Sequence, residues 1–238
     1  MMLYGLAGFV IVVAASFARR AEDRYQDFCI GAAIPIFLFL LLPISFATAW
    51  LRPATIDGSL RGLDLALRLD GFATTRWLVR MRWYFWIPPL YSSLPLFLAV
   101  AWALERSRTL LRASVIGALL VVPFYLLFPA VGPDHSFAGW PASSAHLANV
   151  SATAPRNCMP SMHFSWALLL AINARNRAWR TGLLVYSGLM AIATVAGGEH
   201  YFIDLLAAVP FTLAVQWIAE HRGRRDRSPA HDQGVECC

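Results

Sequence analysis

Between Phe28 and Trp50 the chain runs 23 residues without one charged side chain. Lipid offers no water to backbone N–H and C=O groups, so a segment this apolar must satisfy them internally, as a helix does. About 20 helical residues cross the hydrocarbon core of a bilayer. Further runs follow at Trp83–Leu104, Leu111–Val131, Pro160–Ala174, Thr181–Gly198 and Tyr201–Ala219. The prolines inside Trp83–Leu104 are tolerable in a membrane, where neighbouring helices re-satisfy the freed carbonyls. Leu3–Phe17 is shorter, and its arginines (Arg19, Arg20, Arg24) follow it rather than precede it, unlike a signal peptide. It is expected to be a first helix with its N-terminus outside. The pattern predicts an all-α, polytopic membrane helical bundle of about seven transmembrane helices, forming one domain over 1–221. A polar, disordered cytoplasmic tail is expected over 222–238.

Only 14% of the residues are charged, against about 25% in soluble domains. The net charge is +6, and all twenty basic residues are arginine. They gather between apolar segments: Arg106, Arg108 and Arg112; Arg175, Arg177 and Arg180; Arg222, Arg224, Arg225 and Arg227. With Arg19–Arg24 they mark every second connection, which makes that side cytoplasmic. Loops 51–82 and 132–159 and the turn at Glu199 then face outward, at the cell membrane. Loop 51–82 also carries arginines (Arg52, Arg61, Arg68, Arg76, Arg80, Arg82), against the scheme, but long loops weigh less in the charge rule. Within it, Leu60, Leu63, Leu65 and Leu67 alternate with Arg and Asp, as in an amphipathic helix lying on the membrane surface. No basic helix, aromatic RNA-binding signature or zinc-finger spacing accompanies the positive charge, so nucleic acid is not an expected partner. Cys29, Cys158, Cys237 and Cys238 show neither a disulfide framework nor metal-ligand spacing.

Two stretches carry chemistry. In "PSMH", 160–163, Pro160 suits the first turn of a helix. Ser161 and the free N–H groups beside it make a helix start that attracts anions. His163 falls in that first turn. In "GGEHYFIDLLAAV", 197–209, His200 and Asp204 stand four residues apart, on one helical face. A carboxylate so placed holds the tautomer of an imidazole and stabilises its charged form. Asp204 is the lone acid in the last apolar segment, and an ionisable group at such depth points to function. Two histidines and one aspartate on the same membrane side, beside an anion-attracting helix start, fit phosphoryl transfer through a phosphohistidine. One imidazole attacks phosphorus, the carboxylate orients it, and the other protonates the departing oxygen. Neither a metal nor a cofactor is needed where arginine and backbone N–H groups supply the positive charge.

At these residues the chain resembles the type 2 phosphatidic acid phosphatase superfamily of membrane lipid phosphatases. "PSMH" is similar to its Pro-Ser-Gly-His motif and "HYFID", 200–204, to its His-x-x-x-Asp motif. "YLLFPAVGP", 125–133, stands where the family has its first motif, and the order and six-helix arrangement correspond over roughly 28–220. The resemblance implies a six-helix core, a phosphorylated lipid as substrate, and roles for three residues: His200 nucleophile, Asp204 its orienting partner, His163 the general acid. The family's Lys and Arg-Pro pair are replaced here by Gly132, Pro133 and Asp134, and its Ser-Arg by Ala193 and Thr194. That loss is more similar to the branch of inositol phosphorylceramide synthase and sphingomyelin synthase, whose members transfer head groups between lipids. Ser161 and Arg156 are then the expected substrate-binding residues, with Arg76, Arg80 and Arg82 as further anion ligands and Glu199 as an activator of water or alcohol. His135 and His146 take no assigned role. The alternative is a non-catalytic lipid-binding or scaffold protein that keeps the fold and has lost the chemistry.

Overall fold

The computed structural model of the protein describes residues 43–105, 107–137, 139–141 and 154–225, with isolated positions between 7 and 14. All regular structure among them is helical. Helix α1 covers 43–51. It is followed by α2 (Asp57–Ala66), α3 (Gly71–Arg80), a 3₁₀ turn (Tyr84–Trp86), α4 (Ile87–Ser92) and α5 (Leu94–Glu105). Then come α6 (Arg108–Leu127), the single turn α7 (Pro133–Ser136), α8 (Met162–Asn173), α9 (Arg177–Ala196) and α10 (Phe202–Arg225).

Local chemistry sets several of these starts. Asp70, Ser107, Ser161 and Asn176 each stand in an extended conformation just before a helix and accept a backbone N–H from its first turn. Such a cap contributes about 0.5–2 kcal/mol. Three helices, α6, α9 and Phe202–Arg222 of α10, are long and apolar enough to cross a membrane. The 3₁₀ turn with α4 and α5 makes a fourth candidate, bent by 48° near the prolines Pro88, Pro89 and Pro95. Helix α8 is apolar but shorter. Of the seven expected spans, three, or four with the bent pair, are long and apolar enough among the described residues. Leu3–Phe17 and most of Phe28–Trp50 lie outside them.

The short helix is the centre of the bundle. Helix α8 packs against α5, α6, α9 and α10, and its Trp166, Ala167, Leu169 and Leu170 are buried in one continuous apolar core. At one end, Asn173 Nδ2 donates to Gln216 Oε1 (2.9 Å), whose Nε2 donates to Glu220 Oε1 (2.8 Å). There the N–H of Arg175 also donates to buried Glu105. The other end holds His163 and His200. Polar groups concentrate at the two ends with apolar side chains between them, as a layer of lipid demands.

Helix α2 has two faces, and its buried one is acidic. Leu63, Leu65 and Leu67 are 49%, 52% and 51% exposed, whereas Asp57 and Asp64 are 2% and 4% exposed. Asp57, Leu60 and Asp64 recur at i, i+3 and i+7 and therefore share the inward face. The acids are buried because each meets backbone N–H groups that lack a partner of their own, and the leucines are left facing outward.

Candidate active site

The site is assembled on two helix starts and the turn between α9 and α10. Ser161 is the N-cap of α8, its Oγ accepting the N–H of Phe164 at 3.5 Å, and its own N–H donates to the carbonyl of Asp204 at 3.3 Å. Pro160 therefore lies before the cap, not at the first helical position. The serine takes the boundary because its hydroxyl can bond the first turn. His163 is the second residue of the helix, and its ring stacks on Tyr91 of α4 with centroids 3.9 Å apart.

After α9 the chain turns through Gly197 and Gly198, and the N–H groups of Glu199 and His200 both donate to the carbonyl of Thr194 (3.1 and 3.2 Å). Gly198 has φ +78°, and a Cβ there would lie 2.5 Å from Cβ of Asp134. Gly132, φ +92°, faces it across the contact, where a Cβ would sit 2.6 Å from the carbonyl oxygen of Glu199. Only glycine fits both the dihedral and the approach. The N–H of Asp134 donates to the carbonyl of Gly198 at 3.0 Å, fastening loop 131–134 over the His200 turn.

His200 Nδ1 lies 3.5 Å from Asp204 Oδ2, and both side chains are buried. That oxygen also accepts the N–H of Tyr201 at 2.8 Å. Asp204 Oδ1 and His200 Nδ1 have no closer hydrogen-bond partner among the described residues. Buried polar atoms left this way are rare and call for an explanation. The Ser161 N–H on the Asp204 carbonyl brings the start of α8, with His163 two residues on, to the His200–Asp204 pair. The geometry thus brings together His163, His200, Asp204 and Ser161, which stand up to 43 positions apart in the chain.

Cys158 joins this group without having been singled out in the sequence. Its Sγ donates to the carbonyl of Glu199 at 2.8 Å, and its sulfur, an imidazole nitrogen of His200 and a carboxylate oxygen of Asp204 all lie within 4.8 Å of one another. Three such donors have the spacing of a metal site. Burial, reinforced by the Asp204 and Asp57 carboxylates, raises the thiol's pKa well above its ordinary value, and thiolate is the form that ligates or attacks. The protonated thiol serves here as a hydrogen-bond donor.

A further layer comes from α2. Asp57 accepts the N–H groups of Val131 and Gly132 (3.2 and 3.0 Å) and the hydroxyl of Tyr201 at 2.8 Å. Asp64 accepts those of Phe202 and Ile203, both at 2.8 Å, at the start of α10. Burial raises the Asp64 pKa and these two bonds pull it back. Neither acid was recognised from the sequence. Their seven-residue spacing around Leu60 was the available signal, and the alternating leucines drew attention away from it.

Arg156, expected as an anion ligand, is buried. It donates Nε to the carbonyl of Arg52 (3.2 Å), Nη1 to that of Ala154 (2.6 Å) and Nη2 to that of Pro53 (3.2 Å). Its N–H donates to Thr48 Oγ1 at 2.9 Å. At least three of the five guanidinium donors are on carbonyls, so it clamps loop 154–157 to the end of α1. Arg76 lies over the ring of Phe72 at 4.7 Å and is exposed. His135 is exposed on α7, and Glu199 is exposed beside His200. His146 lies outside the described residues.

Residues 59–218, more than half of the chain, match the family model of the PAP2 superfamily. The chain belongs to the PAP2 superfamily. Its His163, His200 and Asp204 all fall within the matched segment, as do α8, α9 and most of α10. No curated protein and no solved structure matches it. PAP2 membership suggests a phosphatase or phosphotransferase, and the apolar helices are compatible with membrane insertion.

Proposed function

We propose that the protein is an integral-membrane phosphatase or phosphotransferase acting on a phosphorylated lipid at the extracytoplasmic face of the cell membrane. The supporting observation is the buried His200–Asp204 pair, 3.5 Å apart, with the start of α8, which carries His163, fastened to it through the Ser161 N–H on the Asp204 carbonyl at 3.3 Å. Asp204 holds Nδ1–H of His200, which leaves Nε2 as the nucleophile. Nε2 attacks phosphorus in line as the bond from phosphorus to the leaving oxygen breaks. His163 donates its proton to that oxygen. In the second step water attacks the phosphohistidine and gives its proton to His163; the P–N bond breaks and phosphate departs. With a lipid alcohol in place of water the same residues perform a transfer. The first-turn N–H groups of α8 supply positive potential for the phosphoryl oxygens.

The outward orientation draws on the arginines: Arg175, Arg177 and Arg180 lie at the end of the bundle opposite the histidines. The transfer branch resembling inositol phosphorylceramide synthase is favoured over simple hydrolysis by the absence of the family's Lys and two Arg. The same absence favours the second reading, a protein that binds phosphorylated lipid and turns none over. Replacing His200 with Ala and following phosphate release and lipid products from a labelled lipid phosphate separates these. Loss of turnover supports the phosphohistidine route. Unchanged turnover removes it, and binding without turnover in the unaltered protein selects the second reading.

A further inference from the structure

Three buried donors meet at the His200 turn: Cys158 from the loop before α8, His200 itself, and Asp204 in the first turn of α10. Their side chains offer a sulfur, a ring nitrogen and a carboxylate oxygen that all lie within 4.8 Å of one another. The residues are 1%, 5% and 0% exposed. Within the group, His200 Nδ1 and Asp204 Oδ1 have no hydrogen-bond partner among the described residues. His200 Nδ1 stands 3.5 Å from Asp204 Oδ2, longer than the about 2.7–3.2 Å of an N–H···O bond. Two ligands on one tetrahedral zinc stand roughly 3.3–3.6 Å apart, given bonds of about 2.0–2.3 Å. The spacing is that of co-ligands. Asp204 Oδ2 is also held by the Tyr201 N–H at 2.8 Å, the kind of outer bond that orients a metal-bound carboxylate.

The donor set selects the ion. Thiolate, imidazole and carboxylate together suit Zn²⁺, which takes all three, and not Mg²⁺ or Ca²⁺, which take oxygen. A coordinating thiol is deprotonated, so the Cys158 proton passes to water as the Zn–S bond forms, and the sulfur releases the Glu199 carbonyl that it bonds at 2.8 Å. Cys158 and Asp204 as anions then cancel the dication. The loaded group carries no net charge into a buried place, where an uncompensated charge is costly. A cavity of about 20 Å³, bounded by Arg61, Asp64, Asp70 and Tyr201, reaches His200. It has room for one water and gives the ion an approach.

We propose that Cys158, His200 and Asp204 bind Zn²⁺ and that the bound ion switches off phosphoryl transfer. A neutral imidazole has a single N–H. With that N–H on Nδ1 beside Asp204, the lone pair is on Nε2, free to attack phosphorus. Zinc on Nδ1 uses the lone pair of that nitrogen, so the proton moves to Nε2 and the nucleophile is lost. Removing the ion restores it. The inhibitory role rests on the phosphoryl-transfer reading, whereas the site rests on the three donors alone.

The test uses the full chain, reduced and stripped with a chelator, in phosphatidylcholine nanodiscs. One equivalent of Co²⁺ is expected to give the near-ultraviolet charge-transfer band of a thiolate–cobalt bond, and Zn²⁺ is expected to displace it. Cys158→Ser keeps a donor for the Glu199 carbonyl and is expected to lose the band. Cys158→Ser and His200→Ala are each expected to weaken Zn²⁺ binding at least about tenfold against a zinc indicator. Saturating Zn²⁺ is expected to lower turnover of a lipid phosphate at least about tenfold in the unaltered protein, with recovery on chelation. Mg²⁺ is expected to leave it unchanged. In Cys158→Ser the ratio of turnover with and without Zn²⁺ is expected to stay near one. The proposal is overturned by the absence of a thiolate–cobalt band, by a band that persists in Cys158→Ser, or by zinc that leaves turnover unchanged or raises it. Equal inhibition of Cys158→Ser overturns it as well. Tight Zn²⁺ binding by a chain that turns over no lipid phosphate when metal-free upholds the site and removes both its inhibitory role and the phosphoryl-transfer reading.

Discussion

Two buried aspartates meet at the start of α10, and they differ in what they lack. Asp64, reaching across from α2, has both oxygens engaged at 2.8 Å by the N–H groups of Phe202 and Ile203. Asp204, in the first turn of the same helix, has one oxygen on the N–H of Tyr201 and the other without a hydrogen-bond partner among the described residues, with His200 Nδ1 at 3.5 Å. A helix start offers unpaired N–H donors that stabilise any carboxylate. Asp64 takes two of them and is finished. Asp204 keeps capacity in reserve, and a buried group in that state is held for a partner whose charge changes, as an imidazole's does during reaction. On the proposed function, the difference separates an acid that holds the fold from one that holds a reacting group, although sequence alone presents both as acids among apolar residues.

The comparison can be broken by exchanging the demands on the two sites. Asp204→Asn keeps the shape and removes the charge, and turnover of a lipid phosphate is expected to fall about 10²–10⁴-fold, the range of a lost acid–base partner, with little change in thermal unfolding. Asp64→Ala leaves two N–H donors without their acceptor, at about 1–3 kcal/mol each. Its signature is a lower unfolding temperature in detergent with activity following the folded fraction. Gly198→Ala forces a Cβ against Asp134 and holds alanine at positive φ, at a cost of about 1–3 kcal/mol. Loosening of the loop 131–134 amides in hydrogen exchange would report it. Cys158→Ser retains a donor for the Glu199 carbonyl, and turnover is expected to stay within about tenfold, as for one neutral hydrogen bond of about 0.5–1.5 kcal/mol. The unaltered thiol should also resist iodoacetamide at neutral pH in the folded protein, since burial and two carboxylates keep it protonated. Should Asp64→Ala prove the catalytic lesion and Asp204→Asn the unfolding one, the two roles are reversed.

The elements that were legible in advance are those governed by periodicity or by apolar length. The runs 111–131, 181–198 and 201–219 correspond to α6, α9 and α10 because a long apolar stretch has one way to satisfy its backbone. His200 and Asp204 were readable as a facing pair because i and i+4 share a face wherever the helix goes. What escaped depends on contacts between distant segments. Asp57 and Asp64 become interior only when loop 131–132 and the start of α10 arrive with unpaired N–H groups, and no local pattern announces that arrival. Arg156 looked like an anion ligand because it precedes the Pro-Ser motif; the carbonyls of Arg52 and Pro53 that receive it are about a hundred residues away. Cys158 and Tyr91 were passed over for the same reason, since the Glu199 carbonyl that Cys158 bonds and the His163 ring that Tyr91 stacks on are remote from them in the chain.

The central claim is that His200 carries the phosphoryl group, and mapping that group during turnover tests it most directly. The protein would be mixed with a lipid phosphate, quenched in base to preserve phosphohistidine, and its peptides examined by mass spectrometry. The account predicts phosphate on His200, absent in His200→Ala and diminished in Asp204→Asn. Phosphate on Ser161 or Cys158, or sustained turnover with His200 never modified, would contradict it.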